Sequence, residues 1–142
     1  MILLLSGPNL NLLGQREPDV YGRATLEEHV ARARAVAAAH GHPLEHLQSN
    51  REGDLIEAVH RARARCAGIV INPGAFTHYA WGLHDALATF GGPVIELHLS
   101  NPMAREAWRQ ASVISPVATG VISGFRGAGY RLAARATREL LA

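Results

Sequence analysis

Glu96 and His98 stand two residues apart in the run Pro93-Val94-Ile95-Glu96-Leu97-His98, which has the make-up of a strand. Side chains two apart on a strand share a face. The carboxylate is therefore expected to hold one imidazole nitrogen and leave the other for a ligand, fixing tautomer and ring orientation. A buried ion pair with no chemical task is the plain alternative, and Ser100-Asn101 at the end of the run favours a site. A second pair, Arg16 and Tyr21, lies in a long polar stretch from Gly7 to Arg23. A free tyrosine, with a pKa of ~10, is a poor base at neutral pH. Lowering such a value by about three units takes roughly 4 kcal/mol. One guanidinium ~4 Å away in an intermediate dielectric supplies about that. Arg16 beside Tyr21 thus predicts a tyrosinate base; a solvated arginine and an aromatic anchor stand as the alternative.

The elements that must position these groups follow from the apolar pattern. Ile2 to Leu5 and Gly68 to Ile71 are continuous apolar runs, the mark of strands buried on both faces. Pro43 to Leu47 and Ala118 to Ser123 read as further strands, beside Pro93 to His98. Thr25-Leu26-Glu27-Glu28 is a capping box that opens a helix ending near Gly41. Helices are also expected from Gly53-Asp54 onward, over Trp81 to Thr89, around Ala104 to Gln110, and over Tyr130 to Leu141. Strand and helix alternate about five times with short connections, which predicts a parallel sheet with helices on both faces. At 142 residues the chain suits one flavodoxin-like, doubly wound α/β domain of five strands over residues 1–142. A closed barrel needs about 250 residues. The Gly7–Arg23 stretch is long for a structureless loop and reads as a lid or binding loop.

In such sheets ligands bind beyond the carboxyl ends of the strands. There the sequence places Ser6, Gly7, Pro8, Asn9 and Asn11, then Gln48, Ser49 and Asn50, then Asn72, Gly74, Thr77 and His78, then Glu96, His98, Ser100 and Asn101. Ser123 and Gly124 end the fifth strand. Amides and hydroxyls dominate, which suits a small ligand rich in hydroxyls. The glycines of Gly124-Phe125-Arg126-Gly127-Ala128-Gly129 lack dinucleotide-binding spacing. His40-Gly41-His42 has no third ligand in register, and His29, His46 and His60 lie on helix faces or near the second strand, so no metal is expected. Trp108 and Tyr130 read as core or interface aromatics.

Composition removes whole classes of chemistry. All 14 basic residues are arginine, so no lysine can form a Schiff base or serve a P-loop. The formal net charge is +2 and the arginines are scattered, which gives no nucleic-acid footprint. Cys66 is the one cysteine, which excludes an intrachain disulfide and fits a reducing cytoplasm; it reads as a small buried hydrophobe. Met1 to Leu5 lacks the basic start of a secretory leader, and no apolar run nears the ~18 residues of a membrane span.

Taken in order, several blocks resemble one family. Gly7-Pro8-Asn9-Leu10-Asn11-Leu12-Leu13-Gly14, Arg16-Glu17-Pro18 and Tyr21-Gly22 are similar to the opening signature of the type II 3-dehydroquinate dehydratases. Gln48-Ser49-Asn50 with Glu52-Gly53, Asn72-Pro73-Gly74-Ala75 with Thr77-His78, and Asp85-Ala86 match as well. So do Glu96-Leu97-His98-Leu99-Ser100-Asn101 and Ser115-Pro116-Val117-Ala118. The resemblance implies loss of water from 3-dehydroquinate to 3-dehydroshikimate, in aromatic amino-acid biosynthesis or quinate breakdown, with no cofactor or metal. It also implies a homododecamer of four trimers, beside the cytoplasmic location read from the cysteine count. By matched position, Tyr21 would remove the C2 proton, Arg16 would favour the tyrosinate and stabilise the enolate, and Asn9 would hold a water at the enolate oxygen. His98, oriented by Glu96, would protonate the departing C1 hydroxyl. Asn72, Gly74, His78, Asp85 and Arg109 would bind the ring substituents, with backbone N–H groups from Leu99 and Ser100. Asp85 would reach a neighbouring subunit's site.

Proton removal beside a ketone builds an enolate, and it needs a base, a stabiliser of negative charge and an acid for the leaving hydroxyl. Tyr21, Arg16 and His98 are those types, whereas the iminium route to the same product needs the lysine this chain lacks. Tyr79, Trp81, His84 and Ala111 depart from the family pattern beside expected binding or interface positions. They leave open the same dehydration on a modified, for example aminated, ring. A non-catalytic binding protein of the same fold is the remaining alternative.

Overall fold

The computed structural model describes residues Met1–Ala142. Its strands are β1 (Ile2–Ser6), β2 (Leu44–Gln48), β3 (Gly68–Asn72), β4 (Val94–His98) and β5 (Gly120–Ser123). Its helices are α1 (Pro18–Tyr21), α2 (Leu26–Ala38), α3 (Glu52–Ala62), α4 (Trp81–Ala88) and α5 (Ala128–Leu141). All strand pairs are parallel, in the order β2-β1-β3-β4-β5, which is the flavodoxin-like arrangement. The apolar runs of β1 and β3 are buried at every position, as a sheet covered on both faces requires.

The sheet divides the core in two. Ile2, Leu4, Val70, Ile95 and Leu97 pack with Val30 and Ala33 of α2 and Tyr130 and Ala133 of α5. Leu3, Leu5, Ile69, Ile71 and Val94 pack with Leu55 and Val59 of α3 and Leu83 and Leu87 of α4. Each fully buried Leu or Ile contributes about 1.5–3 kcal/mol of transfer free energy. The capping box forms as expected: Glu28 N–H donates to Thr25 Oγ1 at 3.2 Å and Thr25 N–H to Glu28 Oε2 at 3.1 Å.

Three segments differ from the sequence pattern. The Gly7–Arg23 stretch is not structureless: it holds a 3-10 turn at Leu10–Leu12 and the short helix α1, entered through Glu17 at φ 38°. The expected helix around Ala104 to Gln110 is two 3-10 turns, Pro102–Ala104 and Ala107–Arg109. Arg105 between them is extended (φ −113°, ψ −164°), because Met103 and Trp108 stay exposed and no apolar face pulls the segment into one helix. β5 starts at Gly120, after the Thr119 hydroxyl accepts from Val94 N–H at 3.0 Å.

Candidate active site

The register of β1 sets Ser6 level with Gln48 on one side and Asn72 on the other, so three strands present polar residues at one edge. Loop backbones meet directly beyond that edge. A Cβ on Gly7 would lie 2.2 Å from Pro73 O, and Gly74, at φ +57°, turns against Pro8. Only glycine fits the first position, and the second uses the left-handed region that glycine tolerates best.

Over this edge opens a cavity of about 160 Å³. The segment after β1 contributes Asn9, Arg16 and Tyr21; that after β3, Asn72, Gly74 and His78; β4 and its extension, His98, Leu99 and Ser100. Arg105, Trp108 and Arg109 close the far wall, and no carboxylate lines the cavity. Three guanidiniums facing one small space favour an anionic ligand.

Glu96 and His98 share a face, and His98 Nε2 is 2.5 Å from Glu96 Oε2. The carboxylate is 1% exposed and accepts three further hydroxyls: Ser115 at 2.6 Å, Thr77 at 3.0 Å and Ser112 at 3.1 Å. Burial alone would push this carboxyl up. The hydrogen bond and charge of His98, with the Ser115 and Thr77 hydroxyls, outweigh it and hold Glu96 below the ordinary carboxylate value. Nε2–H therefore donates to a carboxylate, and Nδ1 is the nitrogen left for the cavity.

Tyr21 is buried on the α2/α5 side of the sheet. Arg105 Nη1 donates to its hydroxyl at 2.9 Å and lies 3.3 Å from Ser100 Oγ. Arg16 stands over the ring instead, 5.0 Å from its centroid, and also pairs with Glu17 at 3.5 Å. The guanidinium expected at the phenol oxygen is thus that of Arg105, with Arg16 on the ring face. No local signal marks Arg105, which is 84 residues from Tyr21 in sequence.

Arg109 pairs with Glu106 at 2.7 Å and stacks on Trp108, 4.1 Å from the ring centroid. Trp108, read as core or interface, is 56% exposed at the cavity mouth and meets the His78 ring edge-on. His78 Nδ1 donates to Ala111 O at 2.7 Å, which leaves its other nitrogen for the cavity. Asn72 Oδ1 accepts Gly74 N–H at 3.2 Å.

Ten of the twelve residues singled out in the sequence line the cavity. Glu96 lies behind His98, and Asp85 is exposed on α4, away from its own chain's cavity. Sequence reasoning missed Arg105 and Trp108, and also Ser112 and Ser115, which hold Glu96. Tyr79, Trp81, His84 and Ala111 do not line the cavity; His84 Nδ1 donates to Val113 O at 2.6 Å. No three His, Cys, Asp or Glu side chains converge as metal ligands, and no helix is long and apolar enough to cross a membrane.

Residues 1–138 match the family model described as dehydroquinase class II. The chain is 49% identical over 138 residues to the 3-dehydroquinate dehydratase of Halalkalibacterium halodurans, covering 97% of this chain and 95% of that one. It is 54% identical over 132 residues to 3-dehydroquinate dehydratase 2 of Pseudomonas aeruginosa, covering 93% and 89%. The crystal structure of type II dehydroquinase from Propionibacterium acnes superimposes with a TM-score of 0.93 at 39% identity, covering 97% of this chain and 95% of that one.

Proposed function

We propose the following chemistry for a chain that belongs to the class II dehydroquinase family. The protein is a 3-dehydroquinate dehydratase, a hydro-lyase that converts 3-dehydroquinate to 3-dehydroshikimate and water in shikimate or quinate metabolism. The observation that carries the residue assignments is a tyrosine hydroxyl held by a guanidinium, facing a carboxylate-bound histidine across one cation-rich cavity.

Tyr21, as phenolate, takes the C2 proton. Arg105 donates a charge-assisted hydrogen bond to the Tyr21 oxygen at 2.9 Å, and the Arg16 guanidinium lies over the ring, 5.0 Å from the centroid. The C2–H electron pair moves to the ketone as an enolate, where Asn9 holds a water and Arg16 supplies charge. The enolate collapses to the C1–C2 double bond as the C1 hydroxyl leaves with a proton from His98. Tyr21 ends with one proton more and His98 with one fewer, so a proton returns to His98 between turnovers. Glu96 positions His98 by accepting its Nε2–H. Asn72, Gly74, His78, Arg109 and the Leu99–Ser100 backbone bind the ring substituents.

Residues 1–142 form one catalytic domain in this reading, working in the cytoplasm with Cys66 as a free thiol. The assembly is a homododecamer of four trimers in which Asp85 serves a neighbour's cavity. Its exposure on α4, beside the exposed Tyr79 (58%) and Trp81 (61%), supports that placement, as does a cavity without a carboxylate of its own. Sedimentation or native mass spectrometry tests the assembly. The activity is tested by the ultraviolet absorbance of the enone product. Wild type is expected to turn over 3-dehydroquinate, and Tyr21→Phe to fold and do so at background rate; Tyr21→Phe with wild-type kcat removes Tyr21 from the role of base.

A further inference from the structure

On the α2/α5 face of the sheet, a row of polar groups, buried except for the half-buried His46 at its end, runs away from the cavity. Asn72 Nδ2 donates to the Tyr130 hydroxyl at 3.2 Å. Tyr130 is wholly buried, so its own proton needs an acceptor. Ser6 is the second polar group acting on that phenol; burial pushes Tyr130 up to about 12, the hydrogen bonds of Asn72 and Ser6 offset it only in part, and it stays a phenol. Ser6 Oγ is in turn 2.9 Å from His46 Nε2 on β2. Burial, with the charge of Arg34, holds His46 down to about 4, so its ring is neutral and can accept.

Only one direction of hydrogen bonding satisfies the row. Asn72 offers N–H to Tyr130, so Tyr130 must donate onward to Ser6, and Ser6 to His46 Nε2. Reversal would turn the Asn72 amide and set its NH2 against Gly74 N–H, donor against donor. In this direction Asn72 keeps one N–H and one Oδ1 lone pair for the cavity it lines. His29, stacked on the Tyr130 ring at 5.3 Å and 2°, holds that ring in place.

We propose that Tyr130 is a positioning residue for substrate binding: its hydroxyl fixes the Asn72 amide in the orientation that meets the ligand, and Ser6 and His46 fix the direction of the hydrogen bonds that hold it. The proposal rests on 3-dehydroquinate occupying this cavity, which wild-type turnover tests separately. Tyr130→Phe removes the hydroxyl but keeps the stacked ring. It is expected to raise KM about tenfold, one lost hydrogen bond's worth, with kcat within about threefold, the pattern of lost uniform binding. His46→Leu should shift KM the same way, and His46→Gln, which keeps an acceptor, should restore it. Unchanged KM in folded Tyr130→Phe, or a loss confined to kcat, overturns the proposal. If Tyr130→Phe does not fold, Ser6→Ala is judged on the same split and the same His46 pair.

Discussion

Glu96→Gln separates two things that the carboxylate does for His98. Four side chains donate to it: His98 at 2.5 Å, Ser115 at 2.6 Å, Thr77 at 3.0 Å and Ser112 at 3.1 Å. An amide keeps one acceptor oxygen. The Ser115 hydroxyl on the far oxygen can turn round and accept from the new NH2, so the amide oxygen stays on His98 Nε2 and ring orientation survives. Only the charge is lost. A hydrogen bond to a charged group is worth about 1.5–3 kcal/mol, and a neutral one about 0.5–1.5. The difference, about 1–2 kcal/mol, falls on the step in which His98 acts as the acid. At about 1.4 kcal/mol per decade, kcat should drop roughly 5- to 30-fold. KM should stay within about twofold, because Glu96 is 1% exposed and does not line the cavity. Glu96→Ala removes orientation as well and leaves His98 and three hydroxyls without their acceptor, so its kcat should fall at least about 10²-fold, with visible loss of stability. Steady-state rates from the enone absorbance, with a thermal melt of each variant, provide the measurement. Glu96→Gln with kcat within about twofold of wild type would refute the charge argument. Equal losses in the two variants would refute the separation of charge from orientation.

Arg105→Met removes the guanidinium at the Tyr21 oxygen and should cost about 10- to 100-fold in kcat, the worth of one charged hydrogen bond; a loss of less than about threefold would return that task to Arg16. Acid should destabilise the fold through His46. Its folded value of about 4 lies below the ordinary 6.5, so the unfolded chain takes up a proton first as pH falls. The stability present above pH 6.5 is lost progressively down to about pH 4, by up to about 3 kcal/mol and less in so far as the ring meets water. His29, lowered first by burial and then by the charge of Arg32, acts in the same direction. Denaturant midpoints at pH 7, 6 and 5 should fall more slowly for His46→Gln than for wild type, and parallel lines would contradict the assignment.

Local chemistry was legible and long-range chemistry was not. The burial of β1 and β3, the Thr25 capping box and the shared face of Glu96 and His98 follow from spacings of a few residues, and all are present. The Arg16–Tyr21 pair was legible in part, because both lie in one loop; the hydroxyl's partner comes from a segment whose course sequence spacing misread. Ala104, Ala107 and Trp108 have a spacing that suits a helix, yet Trp108 stays exposed so that no apolar face is buried, and the segment is held as two turns by Asn101 Oδ1 accepting Met103 N–H at 3.1 Å and by the Arg109–Glu106 pair. Trp108 was read as a core or interface aromatic because such side chains usually signal burial; within this chain it is not core, and it lies over a guanidinium at the cavity mouth.

The bond from Asn72 to Tyr130 ties the centre of the sheet to α5 across 58 residues. Synthesis runs from the N-terminus, so β1, β2 and β3 can pair long before α5 exists. A parallel sheet pairs only after each crossover is complete, and such non-local contacts form late. On the ribosome the binding edge is therefore present early as a row of loosely set polar groups. It becomes a fitted site only when the last helix of the fold docks. Chains that end before Tyr130 would carry the cavity-lining side chains of the sheet edge in sequence while lacking the clasp that sets Asn72.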